Sequence, residues 1–363
     1  MFVFAMWLVS RVVIVVVMQL IAPLLPASVM QRRDLDVAMM GWQSFAHWDG
    51  NWYRTIVTSG YEFALDGKQH NIAFFPLFPL ITRAVMSLGL PFEVAGTLVN
   101  NLAFLGAMFL VYIWVKELHG IVAARWTTAV LAWCPFSIFG TITYTEGLFL
   151  LLSTASLRAF DKGQHIWAAV WGAMATATRA NGIVLIPTFL IEAWRKRRGA
   201  IAYIAAIATS AGLLLFSLYC AIRFGDPLAF VHAQRGWQAQ TGFNLQVWWE
   251  LFTQDLLARR GLSTAIVALI KIVTVFGGGY LLWRLRFRLS PMIVTYGFCS
   301  LALIFSSGAI KSVERFIYGT VSIAIALGIL LERHQRSGYV VLSLFALLLI
   351  YFSMRFAWGL WVA

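Results

Sequence analysis

The chain has 363 residues, 61% of them hydrophobic and 12% charged, with a mean hydropathy of +0.79. Soluble globules carry about a quarter charged residues, so this composition excludes one and describes an all-α polytopic membrane protein. The net charge of +13 lies in short clusters between apolar runs, where positive-inside topology places it; it attracts anionic lipid and gives no sign of nucleic acid.

In chain order, Phe2 to Ala22 reads as a first span, ended by Pro23 and Pro26. It has no small-residue cleavage site, so it is expected to stay as an anchor. Arg11 lies within it and should face other helices or a polar cavity, because a charge at mid-span costs about 2.5–3.5 kcal/mol. Residues 24–95 then form a first extracytoplasmic loop. Ala73 to Leu80 is apolar, but two prolines, Arg83 and the break at Gly89-Leu90-Pro91 make Phe74–Leu88 an interfacial helix rather than a crossing. Sixteen Trp and 28 Phe fit several such half-wet segments.

The remaining apolar runs are Gly96–Val115, Trp126–Thr143, Gly147–Phe160, Ile166–Thr178, Gly182–Trp194, Ala200–Ile222, Leu262–Trp283, Pro291–Ile310, Ile317–Leu331 and Tyr339–Phe356. Several fall short of the roughly 20 residues of a full crossing, so tilted, broken or paired half-helices are expected. With the first loop outside, Lys116 and Arg125, Arg158 and Lys162, Arg195 to Arg198, Arg284 to Arg288, and Arg333 and Arg336 all fall in cytoplasmic loops. Charge therefore selects about eleven spans in one integral membrane domain with a cytoplasmic N-terminus. The divisions are the loop at 24–95, a transmembrane module at 96–222, a second outer loop at 223–261 and C-terminal helices at 262–363.

This orientation puts the polar residues at helix breaks on one face. They are Asp49, Tyr144-Thr145-Glu146, Arg179-Ala180-Asn181 and Lys311 to Arg315, together with the Trp-rich loop 223–261. Such convergence suits an active site at a membrane surface. A scaffold has no use for Asp49, Glu146 and Arg179 at those breaks, and a transporter or flippase for lipid-linked sugars, the rival reading, would show internal repeats and polar residues at mid-membrane.

The motifs themselves are more specific. Trp48-Asp49-Gly50-Asn51-Trp52-Tyr53 with Gly60-Tyr61, Phe74-Phe75-Pro76-Leu77-Phe78-Pro79, Tyr144-Thr145-Glu146-Gly147-Leu148-Phe149, Thr178-Arg179-Ala180-Asn181-Gly182 and Gly225-Asp226-Pro227-Leu228-Ala229-Phe230 occur in this order. The set resembles the PIG-V-type mannosyltransferases, members of the GT-C class of glycosyltransferases. The resemblance implies a GT-C fold with interfacial helices in the first outer loop. It also implies a polyprenyl-phosphate-sugar donor, mannose as the sugar, and Asp49 as base on the extracytoplasmic side. The shortness of the chain suggests a bacterial relative, in the inner or plasma membrane, whose glycolipid or glycan acceptor differs from the eukaryotic one.

Transfer to a hydroxyl needs a carboxylate to take its proton, and Asp49 is the candidate. The phosphate leaving group needs cations, which Lys311 and Arg315, four residues apart, or Arg179 can supply. One base and one displacement predict inversion; Glu146 is the alternative nucleophile for a retaining route, but is preferred as a hydroxyl-binding or arginine-pairing residue. Trp48, Trp52 and Tyr53 are candidates to stack on sugar or headgroups, and His47, Arg54, Tyr144, Asn181, Asp226 and His232 complete the candidate substrate contacts. Each has a plainer alternative. Asp49 can simply cap the next helix, Arg179 with Asn181 can be a polar joint, Arg315 can pair with Glu314, and His47 and His232 can be structural. Lys271 can pair with another helix or mark a lipid-phosphate groove. Asp34 and Asp36 are too isolated to suggest a metal site; no cofactor is expected beyond the lipid-linked donor, and a divalent metal stays open as an alternative. Cys134, Cys220 and Cys299 are widely spaced in apolar runs and read as packing residues.

Overall fold

The computed structural model describes residues 1–25, 40–237, 245–257, 262–307 and 312–362, and every regular element among them is a helix. Asp34, Asp36 and Lys311 lie outside the described residues.

Helix α1 (Phe2–Val16) continues through a π turn and a 3-10 turn to Leu24. At 1.5 Å per residue its 23 residues reach about 34 Å, enough for a hydrocarbon core about 30 Å thick. Arg11 does not face lipid. Its guanidinium donates to Ser137 O and Thr141 Oγ1, both at 2.8 Å, to Ala132 O at 3.2 Å and to Ser137 Oγ. The charge sits 4.7 Å from the Phe104 ring centre and holds an irregular loop in place.

Two short helices follow, α2 (Asp49–Ser59) and α3 (Leu77–Met86). Ten or eleven residues give about 15 Å of rise, half a membrane, so neither is long enough to cross by itself. Helix α4 (Phe92–His119) is long and apolar enough to span, and α5 (Ile121–Trp133) returns beside it. The apolar run Trp126–Thr143 is not one helix. Pro135 forces Cys134 into an extended conformation, α5 stops at Trp133, and a 3-10 turn (Pro135–Gly140) leads to α6 (Glu146–Asp161).

Helix α7 (His165–Thr178) ends at the extended Arg179; a 3-10 turn (Ala180–Val184) then feeds α8 (Leu185–Arg195). The run Ala200–Ile222 is also broken, into α9 (Ala200–Ala208) and α10 (Ala211–Phe224), which meet at 41°. Thr209 and Ser210 at the break turn their hydroxyls onto Ala206 O and Ile207 O, the back-bonding that bends helices. Beyond it come α11 (Ala229–His232), α12 (Leu245–Glu250), and α13 (Leu262–Ile272), which a π turn joins to α14 (Gly278–Leu285). The chain closes with α15 (Pro291–Ser307), α16 (Val313–Tyr318), α17 (Val321–Arg333) and α18 (Gln335–Ala357). The run Ile317–Leu331 thus starts earlier than expected and breaks at Gly319-Thr320. By length and composition, four helices among the described residues can cross a membrane, or five with the bent pair as one span.

Helices α4 and α6 run in the same direction, because Asn100 meets Gly147 at one end and Glu117 meets Arg158 at the other. The α6 start and the α7 end therefore lie at the Asn100 end. The opposite end gathers Arg158 and Lys162 with Glu117, Lys196 with Asp161, and Arg198 on the last carbonyls of α6.

Candidate active site

The site rests on the irregular loop between α5 and α6. Buried backbone groups outside a helix need partners, and Asn100 of α4, itself fully buried, supplies three. Its Nδ2 donates to Phe139 O at 2.7 Å and Ile142 O at 2.8 Å, while Oδ1 accepts the Gly147 N–H at 2.8 Å. Gly147 leaves no room for a side chain, since a Cβ would lie 2.5 Å from Asn100 O. Together they fix Glu146 at the first turn of α6.

Asp49 is brought to the same place by a second set of contacts. The Thr143 N–H and Oγ1 both bond Phe45 O at 3.0 Å. The Tyr144 hydroxyl donates to His47 O and accepts from the Asp49 N–H, each at 3.3 Å. A Cβ on Gly50 would sit 2.5 Å from Thr143 Oγ1, so only glycine lets α2 start this close to the loop. Trp48, which precedes Asp49, has φ +56, a left-handed conformation that costs a bulky residue on the order of 1–3 kcal/mol and is typical of functional sites. Asp49 opens α2, yet no side-chain bond caps that helix. Its carboxylate is committed elsewhere, which answers the simple capping role.

Four charged side chains meet here in alternating order. Arg315 of α16 donates through Nη1 to Asp49 Oδ2 at 2.8 Å and through Nε to Glu146 Oε1 at 2.7 Å. Arg179, at the α7 end, donates to the same Glu146 oxygen and to Thr145 Oγ1 at 3.4 Å. The side chains of Glu146 and Arg315 are 1% and 6% exposed, those of Arg179 and Asp49 13% and 14%. Two carboxylates and two guanidiniums sum to zero, which is how charge can be held away from water. Aromatic faces complete the surroundings: Arg315 lies 4.8 Å from the Tyr144 ring centre and 5.1 Å from that of Phe139, and Arg179 lies 5.4 Å from that of Phe316. Two oxygens are left over. Glu146 Oε2 is buried without a hydrogen bond, and Asp49 Oδ1 has no partner among the described residues.

The structure thus joins Asp49, Tyr144, Glu146, Arg179 and Arg315, which lie as far apart as 266 positions in the chain. Other candidates surround the cluster without entering it. His47 and Trp48 pack edge-on against Phe356 and Trp361. Trp52 stacks on Phe74 and meets Trp237, and Tyr53 is wedged against Phe74 and Phe78. Burial, and then the Asp49 charge, push the Tyr53 phenol above its ordinary range, so it stays protonated. Arg54 pairs with Glu93 at the α4 start, tying α2 to the bundle. Asn181 lines a narrow crevice with Phe149, Tyr296, Ser300 and Phe316. Asp226 and His232 bond each other at 2.6 Å beside α10, and no hydrogen bond or ion pair joins them to the cluster.

Glu314 pairs with Lys271 at 3.1 Å rather than with Arg315, so neighbours in sequence serve different partners. Asn100, Glu93 and Phe139 also shape the site and stand outside the sequence motifs. Glu93 carried a signal as a lone acid in the first turn of an apolar helix; a buried Asn in an apolar run carries little. Among the described residues no group of three or more His, Cys, Asp or Glu is placed to hold a metal ion.

Comparison with known proteins bears on the family and the fold. The family described as mannosyltransferase (PIG-V) matches residues 19–230, a stretch that holds Asp49, Glu146 and Arg179 but stops short of Arg315. Human GPI alpha-1,6-mannosyltransferase 2 is 29% identical over 153 residues, 39% of this chain and 30% of that protein. The Cricetulus griseus protein of the same name is 26% identical over 159 residues, 41% of this chain and 31% of that one. The chain therefore aligns with under a third of the length of these relatives. Among solved structures, ArnT from Cupriavidus metallidurans bound to undecaprenyl phosphate superposes with a TM-score of 0.56 at 14% identity, covering 93% of this chain and 63% of that one. The apo oligosaccharyltransferase of Archaeoglobus fulgidus gives 0.51 at 12%, covering 98% and 55%. At such identity the likeness concerns the fold, which is of GT-C type. With that family match covering more than half of its length, the chain belongs to the PIG-V mannosyltransferase family.

Proposed function

We propose that the protein transfers mannose, or a related hexose, from a polyprenyl-phosphate carrier to a hydroxyl of a glycolipid or glycan acceptor, with inversion at the anomeric carbon. The observation that carries this reading is the Asp49 carboxylate with one oxygen anchored by Arg315 and the other unpartnered among the described residues, at the edge of a buried arginine cluster. In the proposed step, the acceptor oxygen attacks C1 of the sugar as its proton passes to Asp49 Oδ1. The C1–O bond to phosphate breaks, and the electron pair leaves with the polyprenyl phosphate. Arg315 and Arg179 stabilise the charge that develops there, with Lys311 as a further cation. Glu146, whose Oε1 takes both arginines, holds them in place; this supports its arginine-pairing role over that of a nucleophile.

The basic cluster on α4, α6 and α8 lies at the end of the bundle opposite Asp49. That separation supports a cytoplasmic N-terminus and an extracytoplasmic site. The reaction as drawn uses no resident cofactor, so chelator treatment should leave turnover unchanged.

The test is label transfer from polyprenyl-phosphate-[3H]mannose into a membrane glycolipid extract by purified protein. Wild type should form a new labelled product. Asp49→Asn should lose about 10²- to 10⁴-fold in rate with donor binding intact. An Asp49→Asn rate near wild type overturns the base assignment. Movement of the carrier across vesicles without transfer would make the protein a flippase.

A further inference from the structure

At the end of the bundle away from Asp49, the outer flank carries a groove that the proposed reaction does not use. Its floor is Ala155 and Ala159 of α6, its walls are Leu110 of α4 and the pair Trp167 and Trp171 of α7, and Arg158 and Gln164 line it as well. The indoles stack with centroids 6.1 Å apart, and Trp167 is 57% exposed. Two alanines where larger side chains would fill the space between α4 and α7 are what make the surface concave.

The charge at this groove is unbalanced. Arg158 and Lys162 both bond Glu117, at 2.7 and 3.1 Å, two cations on one carboxylate. The Arg158 Nε is buried without a hydrogen-bond partner.

We propose that this groove binds an anionic diacyl phospholipid. An acyl chain lies over Ala155 and Ala159 against the indole faces, and the phosphate takes the surplus charge of Arg158 and Lys162. Three considerations select this occupant. An apolar recess on the lipid-facing flank of a membrane protein is filled by hydrocarbon. Tryptophan at a helix start marks headgroup level. A basic pocket between membrane helices favours a headgroup with net negative charge, whereas a zwitterionic lipid brings its own ammonium to compete for Glu117.

The experiment uses the full chain in nanodiscs and does not depend on the transfer activity. Native mass spectrometry and quenching by brominated lipid would compare phosphatidylglycerol with phosphatidylcholine. A retained phosphatidylglycerol, favoured by about tenfold or more as two basic contacts imply, is expected, together with quenching that Trp167→Phe with Trp171→Phe reduces. Arg158→Gln with Lys162→Gln should abolish the preference. Ala155→Leu, which fills the groove without touching a charge, should weaken retention of both lipids. Equal retention of the two lipids by wild type would overturn the proposal. So would unchanged retention in Ala155→Leu, displacement by undecaprenyl phosphate below the phosphatidylglycerol concentration, or a second copy of the chain covering Trp167.

Discussion

Helix α6 meets a cluster of carboxylates and basic groups at each end, and the two clusters behave differently. At its end, Glu117 joins Arg158 and Lys162 with side chains 40%, 22% and 41% exposed. At its start, Glu146 joins Arg179 and Arg315 almost out of contact with solvent. Water and salt screen the outer set, where an exposed pair is worth about 0–1 kcal/mol. They do not reach the inner set, where a charge that loses its partner has nothing to replace it. Similar residue types thus make a solvent-screened cluster in one place and a preorganised electrostatic site in the other. Burial, fixed by Asn100 and the close approach at Gly147, makes the difference.

The sharpest way to break the comparison is to neutralise one carboxylate at each end. Glu146→Gln leaves Arg315 and Arg179 short of countercharge and should cost about 3–5 kcal/mol of stability, as broken buried pairs do. Glu117→Gln should cost less than about 1 kcal/mol. Thermal unfolding in one detergent and salt condition reads both. Similar losses would mean that the inner cluster is wetter than its burial implies.

A smaller effect tests what holds the inner cluster in place. Asn100→Leu preserves size and removes the bonds to Phe139 O, Ile142 O and the Gly147 N–H. Each stranded buried group should cost about 1 kcal/mol or more. Because Glu146 then loses its fixed position, turnover should fall further than the loss of folded protein explains. A variant that is less stable but turns over normally per folded molecule would show that the loop is held from the Arg11 side instead.

These contrasts also explain what the sequence discloses. Asp49, Glu146, Arg179 and Arg315 stand out because charged residues at helix breaks are rare in so apolar a chain, and the orientation rule placed them on one face. An arginine partner for Glu146 is legible there, but which arginine, and its bond to Asp49, is not. Arg315 follows Glu314 directly, yet one turns to Asp49 and Glu146 and the other to Lys271; helix rotation, not spacing, makes that choice. The helical runs are readable from hydropathy, which runs straight past the halt of α5 at Trp133 that Pro135 marks. Asn100 was invisible because one amide in an apolar helix looks like any tolerated polar residue until the carbonyls facing it are known. Asp226 belongs to the fifth motif and His232 stands just past it, and in space the two bond each other.

The Asp226 loop yields the smallest effect. Helix α10 ends at Gly225 in a left-handed conformation, φ +72, and the chain turns back through Asp226. Desolvation raises the Asp226 pKa, but the His232 ring and the Leu228 N–H outweigh it and hold the carboxyl below its ordinary range. A depressed carboxyl stabilises the fold fully above its unfolded pKa of about 3.9 and stops doing so as pH falls through the lower folded value. The stability difference between wild type and Asp226→Asn, read by thermal unfolding, should therefore be under about 1 kcal/mol at neutral pH for so shallow a pair, and should close as pH falls below about 4. Transfer at neutral pH should be nearly unchanged, since no bond links Asp226 to the buried cluster. A large loss of transfer with the melting temperature intact would instead bring Asp226 into contact with substrate and extend the site across to α10.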